Sequence, residues 1–237
     1  MDYDGSKGVT GQAMMKLRAI TIIIFTGILA LCAAGSASAQ TFDIGSGGTA
    51  TITGALGGSV TGTNDVTQDL VVTINFGEVS PVNTGNLVKV VVPVAIRSSV
   101  PYQVSVSVAA TFNGNPQAVQ RSDIGFGVRN LRPMGIKSQD CSLSPHLFSA
   151  AFNNDPSANV TSDANGRTAY PSSLANVSGS TVILSGPKLT KGNITKHEAD
   201  NGYIFDAIFT IRPQFYVSGT FSATITFTIS AGPNVPC

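Results

Sequence analysis

The 237-residue sequence has no tryptophan, two histidines, three cysteines and only 11% charged residues. Each scarcity removes a class of function. Without Trp the broadest aromatic platform for a sugar ring is missing, leaving Tyr102, Tyr170, Tyr203 and Tyr216 to stand in. His146 and His197 leave little material for histidine-based catalysis or zinc ligation. His197 adjoins Glu198 and Asp200, but neighbouring side chains point apart, so a solvated polar turn competes with a metal-ligand reading. The run Asp163-Ala164-Asn165-Gly166, with Asn153, Asn154 and Asp155 upstream, is a fragment of a calcium loop lacking its spacing and distal Glu. No Gly-x-Ser-x-Gly elbow or phosphate-cradling glycine loop occurs, and the carboxylates are scattered without an acid–base pair. The expectation is a chain that is not an enzyme and takes no cofactor or metal.

What is present begins with an export signal. Lys16 and Arg18 precede an apolar run from Ala19 to Ala34, closed by Ala37-Ser38-Ala39 before Gln40. The run is shorter than the roughly 20 apolar residues of a membrane span. A lipoprotein reading through Cys32 meets Leu31 where a small side chain is wanted. Cleavage after Ala39 predicts a secreted or cell-surface protein with no membrane segment left in it. Residues 1–13 carry nothing a signal needs, and Met14 or Met15 offers a later start. Residues 1–39 therefore read as an over-long start plus signal peptide, 40–64 as an N-terminal arm and 65–237 as one domain.

Of the 14 basic residues, Lys7, Lys16 and Arg18 lie before Gln40, and of the 13 acidic ones Asp2 and Asp4 do, which leaves 11 of each. A neutral mature chain has no electrostatic footprint for nucleic acid and is prone to self-association. Two of its cysteines follow the cleavage point, Cys141 and Cys237, and an even count in an oxidising compartment reads as one disulfide. Closing so long a loop is worth roughly 4–5 kcal/mol in the chain-entropy model; the alternative is a terminal thiol bonded to another molecule.

Period-two alternation recurs along the chain and helical periodicity is nearly absent. Leu70, Val72, Ile74 and Phe76 share one parity, as do Val88, Val90, Val92, Val94 and Ile96. Pro93 cannot donate to a ladder, so the second strand is expected at an edge or bulged there. Further strands are read at Tyr102–Val108, Ile124–Val128, Thr181–Leu184, Tyr203–Ile211 and Phe221–Ile229, with Thr and Ser on the outward parity of the last. Both parities of Tyr203–Ile211 are apolar, which predicts burial on two sides. Asn130 to Ser178 reads as a long irregular excursion, with a short helical turn around Pro145 to Phe152. Seven or eight strands without intervening helices predict an all-β, antiparallel immunoglobulin-like β-sandwich.

The arm carries the longest uncharged alternation. Ala50, Ile52, Gly54, Leu56, Gly58 and Val60 share one parity against Thr and Ser, and no charge falls between Ile44 and Asn64. Such a strand is an aggregation hazard unless paired. Two pairings are open: a hairpin within the molecule, turning at Gly57-Gly58, or donation to a neighbouring copy's sheet.

Ile74-Asn75-Phe76-Gly77, closing an early strand, and Gly219-Thr220-Phe221-Ser222-Ala223-Thr224-Ile225-Thr226-Phe227-Thr228 near the end resemble bacterial pilin and spore-coat-U-like domains. The resemblance covers the two ends of the mature chain and implies an immunoglobulin-like sandwich that assembles by donated strands. The chain departs from the pilin pattern in the position of its cysteines and in its Gly232–Pro236 tail. The leading expectation is a secreted structural subunit that self-associates into a pilus-like filament or coat through residues 49–63. The runner-up is a monomeric adhesin or ligand-binding sandwich whose excursion meets a surface receptor or matrix ligand.

Overall fold

Thirteen strands lie among the described residues, the long ones where the alternation predicts them and three two-residue strands inside the expected excursion. The computed structural model describes residues 42–54, 58–62, 68–79, 86–109, 118–134, 146–189, 202–214, 217 and 219–236. In chain order the strands are β1 (Phe42–Ser46), β2 (Thr51–Thr53), β3 (Ser59–Gly62), β4 (Asp69–Val79), β5 (Val88–Ser98), β6 (Tyr102–Ala109), β7 (Ile124–Pro133), β8 (Leu147–Phe148), β9 (Thr161–Ser162), β10 (Thr168–Ala169), β11 (Thr181–Gly186), β12 (Tyr203–Ile211) and β13 (Gly219–Ala231). No α-helix occurs among the described residues. All of the described residues belong to a compact unit, Ala39–Cys237.

The strands form an antiparallel β-sandwich. Sheet A runs β1-β5-β12-β7, with β2 also on β5; sheet B runs β3-β4-β13-β6-β11-β8; β9 and β10 make a separate hairpin. Strands β1, β5, β12 and β7 follow the A-B-E-D order of an immunoglobulin sheet, and β6 and β13 take the C and F positions opposite. Such a fold places a final strand beside F. Here β13 is the last described strand, and β4, which precedes β5 in the chain, fills that place.

Between the sheets the inward parities meet. Leu70, Val72, Ile74 and Phe76 of β4 and Val88, Val90, Val94 and Ile96 of β5 are all buried in one core cluster. Phe205 of β12 packs edge-on against Phe227 of β13 at 6.3 Å, tying one sheet to the other. Burying one such ring stabilises the fold by about 1.5–3 kcal/mol. On the outward side of sheet B, Thr61, Thr73 and Thr224 lie in one register row. The Thr73 and Thr224 hydroxyls are 3.2 Å apart.

Pro93 sits inside sheet A and not at its edge. β5 pairs with β12 on one side and with β1 and β2 on the other. The arm leaves β5 between these two short strands, where the missing Pro93 N–H falls, and Gly47 N donates to the Pro93 carbonyl at 2.8 Å. The partner strand is the one interrupted.

Burial of β12 on both faces follows from the excursion. Ala207, Ile208, Phe209 and Thr210 are all buried, because residues after β8 fold over the outer face of sheet A. Gly125 and Gly127 of β7 make room for them: a Cβ on Gly125 would lie 2.8 Å from Pro156 Cβ and 2.8 Å from the Tyr170 ring. The helical turn expected around Pro145 to Phe152 is a single turn, with Asn153 N donating to Ser149 O at 3.0 Å. It follows the short strand β8.

Candidate functional site

The arm closes the same side of both sheets. Phe42 and Ile44 enter the core, and between them Asp43 faces Arg97 across the β1–β5 ladder. Arg97 Nη1 donates to Asp43 Oδ2 at 2.7 Å, with both side chains almost fully buried. Such a pair holds register, because a slip of one residue would leave two charges buried and unpartnered. Ser46–Gly48 then bends through an Ser46 Oγ contact to the Gly48 carbonyl at 2.8 Å.

The candidate donor residues divide between the sheets. Ile52 in β2 lies opposite Val90 of sheet A, whereas Val60 in β3 lies opposite Ile74 of sheet B. Ala50, Ile52 and Val60 pack against the core while remaining partly exposed. Gly54 has φ +118°, and a Cβ there would lie 2.9 Å from Val88 Cα, so glycine permits the departure from sheet A. Gly58 sits against the Asn75 carbonyl too closely for any side chain. Leu56 lies outside the described residues. The described halves do not pair with each other in a hairpin at Gly57-Gly58: each hydrogen-bonds a different sheet edge, which satisfies backbone groups that a free hairpin would leave open. Between the halves a cleft of about 250 Å³ opens, floored by Leu70, Val72 and Val92 and rimmed by Ser46 and Thr49.

The excursion closes the opposite side. Phe126 N donates to Ser172 O at 3.1 Å and Val128 N to Phe152 O at 2.8 Å, so loop backbone occupies the free edge of β7. Lys89 Nζ pairs with the Asp155 carboxylate. Desolvation opposes that charge, but hydrogen bonds from Lys89 and Ser157 outweigh it and hold the Asp155 carboxyl below its ordinary value. The calcium-loop fragment is a hairpin turn: Asp163 Oδ1 accepts from Asn165 N and Arg167 N, each at 2.8 Å, and Gly166 takes φ +79°. Its acidic residue serves the backbone of the β9–β10 connection.

His146 is buried at the start of β8, with Nδ1 3.0 Å from Tyr102 Oη and its ring against Tyr203. Its Nε2 is buried without a partner. Burial lowers the imidazole to about 4 and raises the Tyr102 and Tyr203 phenols, so this is a neutral packing histidine near pH 7. Cys141, Cys237, His197 and the segment 16–39 read as an export signal lie outside the described residues. Among the described residues no three His, Cys, Asp or Glu side chains gather as metal ligands.

Sequence reasoning singled out the arm but missed two features. One is β4 as the strand that completes sheet B, since its alternation resembles that of any other strand. The other is Asp123, whose partner Arg167 is 44 residues away. Comparisons with protein-family models, with curated proteins and with solved structures find no match to this chain.

Proposed function

We propose that this protein is a secreted structural surface subunit that self-associates, as a pilus-like filament or a coat, through its N-terminal arm. The observation that supports this reading is the arm's position. It supplies the outer strand of sheet B and two short strands along one edge of sheet A, with no charge from Ile44 to Asn64. Natural edge strands are ordinarily guarded by charge, proline or a covering element. An unguarded edge is suited to pairing with another copy, by addition of strands at the edge or by exchange of the arm. The ladders of β2 and β3 span only three and four residues, so releasing either breaks few bonds. The neutral, hydroxyl-rich outer face of sheet B likewise carries little charge to keep copies apart.

Lysine at exposed arm positions tests the proposal. Thr51→Lys with Thr61→Lys leaves the inward parity untouched and should abolish oligomers by light scattering, and fibres by negative-stain microscopy, while circular dichroism stays unchanged. A wild-type protein that is monomeric at every concentration would overturn the reading, and a double variant that assembles like it would overturn assembly by edge addition, since an exchanged arm keeps Thr51 and Thr61 exposed.

A further inference from the structure

A second cleft, of about 180 Å³, lies between the 3-10 turn at Arg121–Asp123 and the β9–β10 hairpin. Its walls are polar and come from separated segments: Ser122 and Asp123, Asp163 with residues 167–170, and Ser173. Each wall is held in place from behind. Asp123 Oδ2 accepts from Gln120 N at 2.7 Å and from Arg167 Nη2 at 2.8 Å. Tyr170 Oη accepts from Arg212 N at 2.8 Å, and Thr168 N donates to Gln214 Oε1 at 3.1 Å. Burial pushes the Asp123 carboxyl above its ordinary range, with the Gln120 and Arg167 hydrogen bonds opposing. A loop fixing a desolvated carboxylate beside a guanidinium is preorganised, which lowers the ordering cost of binding.

The lining chemistry limits what fits. The volume is below the roughly 300–1,000 Å³ of a pocket for a drug-sized ligand, so it admits one small ring. Two aspartates against one arginine among the lining residues disfavour an anion. The lining offers both donors and acceptors: Arg167 donates, Asp163 has a second carboxylate oxygen beyond the one bound by Asn165 N and Arg167 N, and the Ser122 and Thr168 hydroxyls do both. Ser173 Oγ is engaged with Asn176 Oδ1 and Ala175 N. The Tyr170 ring supplies the one aromatic flank. We infer that this cleft binds a single neutral sugar unit, the end residue of a glycan. The excursion would then be a recognition surface on the side of the sandwich away from the arm, independent of assembly.

Titration with methyl glycosides of glucose, galactose, mannose and N-acetylglucosamine tests this, followed by saturation-transfer and amide-shift NMR on the purified protein. One glycoside should shift amides in residues 121–123 and 163–173 with millimolar affinity. Ser122 is exposed on the rim, so Ser122→Trp should fill the cleft without unfolding the protein and weaken binding by about tenfold or more, or 1.4 kcal/mol. The Thr51→Lys, Thr61→Lys variant should bind as the wild type does, whether or not it assembles. Absence of saturation transfer from all four glycosides at tens of millimolar would overturn the inference, as would binding that Ser122→Trp leaves intact.

Discussion

Truncating Asp43 to alanine should be among the most damaging single changes in the arm. Arg97 would keep its place in β5 with its side chain about 10% exposed. It would lose the carboxylate that accepts from Nη1, while its Nε already has no partner. Removing one member of a buried ion pair costs about 3–5 kcal/mol, because the survivor stays desolvated without compensation. Against a domain stability of roughly 5–15 kcal/mol that is a large share. Urea unfolding followed by fluorescence measures it as a lower midpoint at unchanged slope. The companion variant Asp43→Ala, Arg97→Met removes both charges and should recover most of the loss, since an apolar pair of similar volume is often neutral or stabilising there. Amide exchange should be fastest in β1, whose register the pair holds, and a loosened arm should raise the oligomeric fraction if copies exchange it. A loss below about 1 kcal/mol would refute the reasoning by making the pair equivalent to an exposed one, and so would a double variant no more stable than the single.

Further outcomes follow from the other side of the sandwich. His146 is depressed from 6.5 to about 4, so the unfolded chain binds the extra proton first; stability should be full above pH 6.5 and fall as the pH drops through 6.5 to 4, by about 3 kcal/mol at the low end. His146→Phe should remove that part of the slope, and urea midpoints that decline with acid equally in both proteins would show the histidine is not its cause. Gly127→Ala places a Cβ against the Asn154 carbonyl and should cost about 1–3 kcal/mol by overpacking. Its exchange protection should fall over residues 152–173 before the sheets open; uniform loss across the sheets would contradict a layered excursion.

The side-chain period explains why much of the fold was readable from local pattern. Alternation along Leu70–Phe76, Val88–Ile96 and Phe221–Ile229 assigns each residue to a face without knowledge of its partner, because successive strand side chains point oppositely. Apolar residues on both parities of Tyr203–Ile211 likewise announced cover on both faces, which the structure gives over the half from Ala207 onward. Pairing between distant segments has no such local signature. The alternation of the arm is equally compatible with a hairpin, a neighbour's sheet or the observed division between β5 and β4. Which edge it meets depends on where the other strands leave backbone groups open. Pro93 marked an interruption of the ladder, but its position inside the sheet became evident only from the gap between β1 and β2. Asp43 with Arg97, and Asp123 with Arg167, lie 54 and 44 residues apart. Each of the four is an ordinary surface residue in sequence, and burial makes them pairs: the fold withdraws the carboxylate and guanidinium from water together, and that desolvation ties their energies to one another.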